Sequence, residues 1–217
     1  MPDLAKAGKA EIWRPVPADE AGLPRYKRIF LVNAYQNGEL VSRGLGWSVN
    51  GARAATAAHV LSGDQFRADK CELVWLAAGT TVTSALWQAD DGYISPVGAR
   101  QKGSGSDVAR IAVDLPPPPP SNPLPAVAVL EFVRWRDGGL QRAYSAFNEV
   151  LPFLGHGVAT EPGDSGGPVF LGDRVVGMVL GNAAISRKYL PKPLRPRLSE
   201  PGSALAITPN VLKFLLT

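Results

Sequence analysis

The chain has 217 residues, 45% of them hydrophobic and 19% charged, with a formal net charge of +4. This is an ordinary globular composition in which a sizeable core can be buried, and 23 glycines and 20 prolines favour a turn-rich, all-β protein over a helical one. No apolar run approaches the ~20 residues that span a bilayer, a lone cysteine rules out an internal disulfide, and no stripe of aromatic and basic residues accompanies the basic excess to mark a nucleic-acid surface.

Residues 1–25 carry Pro15, Pro17 and Pro24 with no clear period and read as an arm lying over the domain. From Tyr26 the pattern becomes strand-like, with Arg28 to Tyr35 followed by the hairpin pair Asn37-Gly38. A second strand from Glu39 to Val49 ends at another such pair, Asn50-Gly51, and a short strand runs on to Ala57. Lys70 to Ala78 and Thr81 to Gln88 form a further antiparallel pair across Gly79-Thr80, and Val108 to Val113 alternates well enough for one more strand. That is about one closed barrel, covering residues 26–115. Cys71 lies within one of these apolar runs and reads as a small buried hydrophobe.

The run Pro116 to Pro120, with Pro123 and Pro125, has no donors for a sheet ladder and reads as a stiff linker over 116–125. A second β-rich unit, 126–217, takes strands at Ala126–Val133, Val150–Leu154, Pro168–Leu171, Arg174–Leu180 and Ala204–Thr208. It ends in a short helix whose apolar positions Val211, Leu212, Leu215 and Leu216 share one face.

The strongest chemical signal is Gly163-Asp164-Ser165-Gly166-Gly167-Pro168. A serine hydroxyl is a poor nucleophile and needs a tight, glycine-rich setting that lets a carbonyl approach. Such a turn also aims the Gly163 and Ser165 amides at one point, where they stabilise an oxyanion. The serine needs a base, and histidine suits neutral pH. Only His59, in Thr56-Ala57-Ala58-His59, and His156 exist. His59 is placed to reach Ser165 across a cleft, whereas His156 lies on the serine's own approach strand, near the substrate site or purely structural. A carboxylate must then hold the base. Asp107, which opens a strand, is preferred to Asp90 and Asp91.

Together these three strings resemble the signatures of the trypsin-like, chymotrypsin-fold serine proteases, in that family's order His, Asp, Ser. The resemblance covers roughly residues 28–216. It implies two six-stranded antiparallel Greek-key barrels, with the active site of His59, Asp107 and Ser165 in the cleft between them and a peptide bound there as an extended strand. It implies no metal and no organic cofactor. Val60 stands where digestive relatives have cysteine. No Ile-Val-Gly-Gly string opens the fold, so Asp164 lacks the amino terminus it pairs with in zymogen-activated relatives. The expectation is that another group satisfies Asp164 and that the enzyme is made active.

By the family pattern the substrate pocket maps to Ala159, Thr160, Val179, Leu180 and Asn182. Ala159 offers no carboxylate for Arg or Lys, and Val179 replaces the histidine of glutamate-cutting viral relatives, so an uncharged P1 residue is expected. The ending Ser203 to Asn210 resembles intracellular bacterial relatives, whereas Thr160 to Gly166 resembles plant-virus polyprotein proteases. The expected protein is a cytoplasmic processing or regulatory endopeptidase acting on polypeptides. It is expected to be soluble and to carry no signal peptide, since the opening residues lack an apolar stretch. The alternatives are a viral polyprotein-processing protease and an inactive peptide-binding homologue. The basic stretch 186–197 follows the pocket strand and is read as a solvated loop.

Overall fold

The computed structural model describes residues 13–63, 65–77, 79–90, 106–115, 129–150, 153–182, 192–193 and 202–217. The stretch 116–125 expected as a linker and most of the basic stretch 186–197 lie outside them.

The first sheet grows outward from one hairpin. Strands β2 (Ile29–Gln36) and β3 (Glu39–Asn50) meet at Asn37-Gly38, whose φ values of +54° and +83° suit a two-residue turn that matches strand twist. Strand β4 (Arg53–Thr56) folds back at Asn50-Gly51, where the Asn50 side chain accepts from the Ala52 amide at 2.9 Å. A short helix α1 (Ala58–Leu61) follows, and β5 (Lys70–Trp75) then pairs with the other edge of β2. The expected strand at 81–88 is broken into β6 (Thr81–Ser84) and β7 (Trp87–Ala89). The break lies at Ser84, whose hydroxyl is bonded to the Leu86 amide and to the Ala112 carbonyl. This corner carries the chain from beside β5 to beside β8 (Ala109–Ala112), giving the antiparallel order β6-β5-β2-β3-β4-β8-β7.

The second sheet contains β1 (Arg14–Pro15), β9 (Leu130–Arg136), β10 (Gly139–Ser145), β11 (Phe147–Val150), β12 (Phe153–His156), β13 (Pro168–Leu171), β14 (Arg174–Asn182) and β15 (Gly202–Ala206). Its order is β1-β10-β9-β13-β14-β15-β12-β11, all antiparallel. Among the described residues the two sheets thus carry seven and eight strands where six each were expected, partly because of the Ser84 corner and partly because β1, from the segment read as an arm, adds an edge. Strand β10 escapes a pattern reading because its residues from Gly139 to Arg142 are only half-buried and do not alternate. Its signal was the turn Asp137-Gly138, with φ values of +53° and +74°.

Each sheet curls around its own apolar centre. Phe30, Val32, Trp47, Leu73 and Ile111 fill the first, and Leu130, Phe132, Leu154, Val169 and Val179 the second. A third cluster, Tyr26, Ile29, Leu45, Val133 and Phe170, draws residues from both sheets and joins them. Fully burying such large side chains contributes about 1.5–3 kcal/mol each. Helix α2 (Pro209–Leu216) begins with Thr208, whose side chain accepts from the Val211 amide, and packs Val211 and Leu215 against the first core. Its apolar stripe is narrower than expected, because Leu212 and Leu216 are exposed. Among the described residues no helix is long and apolar enough to cross a membrane.

Candidate active site

The antiparallel register of β4 and β8 brings the first two site residues together. Thr56 at the end of β4 faces Ala109 at the start of β8, so the turn after one strand and the entry to the other share an end of the sheet. There Asp107 takes hold of His59 twice. Its Oδ1 accepts the His59 backbone amide at 3.0 Å, and its Oδ2 lies 2.7 Å from Nδ1. Against an acceptor-only carboxylate Nδ1 carries the proton, which leaves Nε2 as the basic nitrogen. Burial pulls the imidazolium toward deprotonation, but the Coulombic pull of Asp107 and its hydrogen bond outweigh this and hold the His59 pKa above 6.5. The ring remains about a quarter exposed, at 26%. Asp90 instead accepts the Ser106 amide at 2.8 Å, securing the approach to Asp107, and Asp91 lies outside the described residues.

Ser165 is delivered by the turn ahead of β13. Gly163 and Gly166 have φ of +96° and +84°, conformations L side chains rarely adopt. A Cβ on Gly166 would lie 2.0 Å from the Leu45 carbonyl oxygen and 2.5 Å from Thr56 Oγ1, so only glycine lets the turn sink against β3 and β4. The Leu45 amide then donates to the Ser165 carbonyl at 2.8 Å. Gly44 is equally constrained, since a Cβ there would meet the Val60 side chain at 2.6 Å and the Ser165 carbonyl at 2.7 Å. Val60 thus packs tightly against Gly44 at the position where digestive relatives carry cysteine. These contacts set Ser165 beside the segment that bears His59. The Ser165 hydroxyl donates to the Leu180 carbonyl at 3.4 Å, and among the described residues it makes no bond to His59.

The amides around Ser165 divide into two sets. Those of Asp164, Gly166 and Gly167 donate to the carbonyls of Glu161, Val179 and Asp164. Those of Gly163 and Ser165 have no backbone acceptor among the described residues. Asp164 is 1% exposed and accepts the Glu161 amide at 2.8 Å and Arg136 Nη2 at 3.4 Å. Burial raises its pKa, while the Glu161 amide, Arg136 and Arg134 oppose the rise. Arg136 also donates to the Pro162 carbonyl at 2.6 Å. The sequence implies a partner for Asp164 but does not identify it. Arg136 ends β9, and the antiparallel pairing of β9 with β13, Val169 facing Phe132, carries it alongside the serine turn.

Of the residues mapped to the pocket, Ala159 is exposed and Thr160 half-buried. Val179 faces the second core and offers the site its backbone, with its amide donating to Gly167 and its carbonyl accepting from Gly166. Leu180 is half-buried, and Asn182 ends β14, its side chain lying outside what is described.

His156 is fully buried on β12, stacked on Phe132 with ring centroids 4.2 Å apart. A Cβ on Gly202 would lie 2.3 Å from its ring, so the imidazole fills the space that glycine leaves. Among the described residues neither ring nitrogen has a hydrogen-bond partner of standard geometry, and burial pushes the pKa down to about 4 against the weaker pull of the Ser203 and Val158 backbones. This neutral core residue predicts acid sensitivity. Its folded pKa lies below the unfolded value near 6.5, so the unfolded state binds the proton first. Stability is complete above about pH 6.5 and falls by about 3 kcal/mol as pH drops toward 4. Urea midpoints at pH 7 and pH 4.5 check this, and the change should be smaller in His156→Gln than in the native chain. Cys71 is equally inert, its thiol buried, bonded to the Ser84 carbonyl and pushed up to about 12. Among the described residues no cluster of His, Cys, Asp and Glu is placed to hold a metal ion.

No protein-family model matches the chain, and no curated protein sequence matches it. Solved structures do. A Glu endopeptidase superposes with a TM-score of 0.68 at 13% identity, covering 96% of each chain. The Rv3671c protease of M. tuberculosis in its active form superposes at 0.54 with 20% identity, over 93% of this chain and 86% of that one. A human pathogenic astrovirus serine protease gives 0.52 with 19% identity, over 87% and 93%. The chain therefore has the fold of the trypsin-like, chymotrypsin-fold proteases. Its structural neighbours are serine proteases, as the three strings in its sequence imply.

Proposed function

We propose that this chain is a serine endopeptidase. The observation that supports the reading best is the doubly held His59–Asp107 pair, together with a serine turn whose Gly163 and Ser165 amides have no backbone acceptor among the described residues. In this mechanism the Ser165 hydroxyl turns from Leu180 toward His59 Nε2, which takes its proton as the oxygen attacks the scissile carbonyl. The Gly163 and Ser165 amides hold the oxyanion, and His59 passes the proton to the departing amine, leaving an acyl-enzyme. Water then attacks through the same imidazole and regenerates the serine. Arg136 acts as the internal counter-charge of Asp164, which supports a catalytic turn formed without a newly cut amino terminus.

The P1 residue is read as uncharged. Although one neighbour is named a Glu endopeptidase, Ala159 and Val179 bring neither a carboxylate nor a cation to the mapped pocket. A cytoplasmic processing or regulatory role is supported by the single buried thiol, which suits a reducing compartment. Viral polyprotein processing is the second reading, supported by Thr160-Glu161-Pro162-Gly163-Asp164-Ser165-Gly166 and by the astrovirus neighbour.

A fluorophosphonate probe should label Ser165 stoichiometrically in the native chain and not in His59→Ala. Labelled protein should also lose the ability to cut a peptide library after small or apolar residues. A folded protein that takes no label is a binder rather than an enzyme, and cutting mainly after Arg, Lys or Glu overturns the pocket assignment.

A further inference from the structure

The segment from Gly157 to Gly167 belongs to no strand, yet it carries Ala159, Thr160 and both sides of the oxyanion turn. One of its tie points comes from the far end of the chain. Trp13 donates its indole N–H to the Ala159 carbonyl at 2.8 Å. The Arg134 guanidinium lies 4.5 Å over the Trp13 ring and also pairs with Glu161 at 3.2 Å. The Glu161 amide in turn holds the Asp164 carboxylate.

Trp13 is itself firmly carried. Arg14 and Pro15 pair with β10, and the Val16 amide donates to the Leu140 carbonyl at 2.9 Å. Further along, Glu20 is bonded to Arg142, and Arg25 reaches Glu131 at 3.2 Å and Asp173 at 3.4 Å. Ala159 is exposed, so water would satisfy its carbonyl at little cost. The indole bond is therefore not demanded by burial, and its consequence is positional.

We propose that Trp13 is a positioning residue for the substrate pocket, the β1 strap holding Ala159 to Glu161 in register with the catalytic turn. The inference rests on the serine endopeptidase reading and extends it to a residue that acts through Ala159. Trp13→Phe keeps an aromatic ring under Arg134 and deletes only the N–H, Trp13→Ala removes both, and Arg14→Ala trims an exposed side chain while leaving the backbone pairing of the strap in place.

With rates normalised to titrated active sites, Trp13→Phe should lower kcat/KM about fivefold, through KM, as expected for one lost hydrogen bond. Trp13→Ala should lose more and blur P1 preference, whereas Arg14→Ala should match the native chain. Labelling of Ser165 by a small fluorophosphonate that does not fill the pocket should change less than peptide cleavage in both Trp13 variants. Native kcat/KM and P1 preference per titrated site in both variants, whatever their melting points, would overturn the proposal. Failure of the native chain itself to cleave or label defeats the hydrolase reading and this inference with it, and is distinguished by appearing before any variant is made.

Discussion

Ser165→Ala should abolish peptide hydrolysis, lowering kcat roughly a millionfold, as loss of the nucleophile does in other triads. Its fold should survive. The Ser165 hydroxyl makes one long bond, 3.4 Å, to the Leu180 carbonyl, and the contacts that seat the turn are made by its backbone and by Gly166. Losing a bond of that kind costs at most about 1 kcal/mol, a shift in Tm of no more than about 4 °C for a chain of this size. Single-turnover peptide cleavage and calorimetry on the same preparation separate the two effects. A variant that cuts at the native rate ends the triad assignment, whereas one that is inactive and unfolded shows that the seating argument is wrong.

Asp107→Asn should be the next most damaging change, costing about 10⁴ in kcat near neutral pH by analogy with the same change in a related triad. The amide leaves the shape of the site intact, but with its one oxygen taken by the His59 backbone N–H it turns an NH2 donor toward Nδ1, which then no longer keeps the proton. The pH profile gives an independent sign. Activity needs neutral His59, so in the native chain it rises with pH through a His59 pKa held above 6.5 by Asp107. In the variant only burial remains, so the midpoint of the residual activity should move below 6.5. Stability linkage runs the other way. The raised His59 pKa contributes stability that is present below about pH 6.5 and fades as pH climbs through the folded value, and Asp107→Asn removes that contribution. A residual profile with an unchanged midpoint would show that Asp107 does not set the basicity of His59.

Local signals placed the hairpin at Asn37-Gly38, the C-terminal helix and the glycine-rich turn, because each is decided by residues adjacent in the chain. Elements decided by distant partners were harder to read. Strand β10 has no apolar alternation and exists because β9 and β1 flank it. The corner at Ser84 depends on an acceptor at Ala112. His156 was left between two roles, and its burial against Phe132 and Gly202 places it in the core of the second sheet.

Which residue types are available for chemistry is legible in the chain without any fold. One serine sits in a turn that only glycines allow, only two histidines exist to serve it, and no second cysteine is present to brace it. The tertiary structure alone decided which charges and donors meet. Arg136 reaches Asp164, Trp13 reaches Ala159, and Gly166 closes on Leu45 and Thr56. These contacts span long stretches of chain, and no local periodicity encodes them: the first two form only when β1, β9 and β13 take their places in the second sheet, and the third only when the two sheets pack.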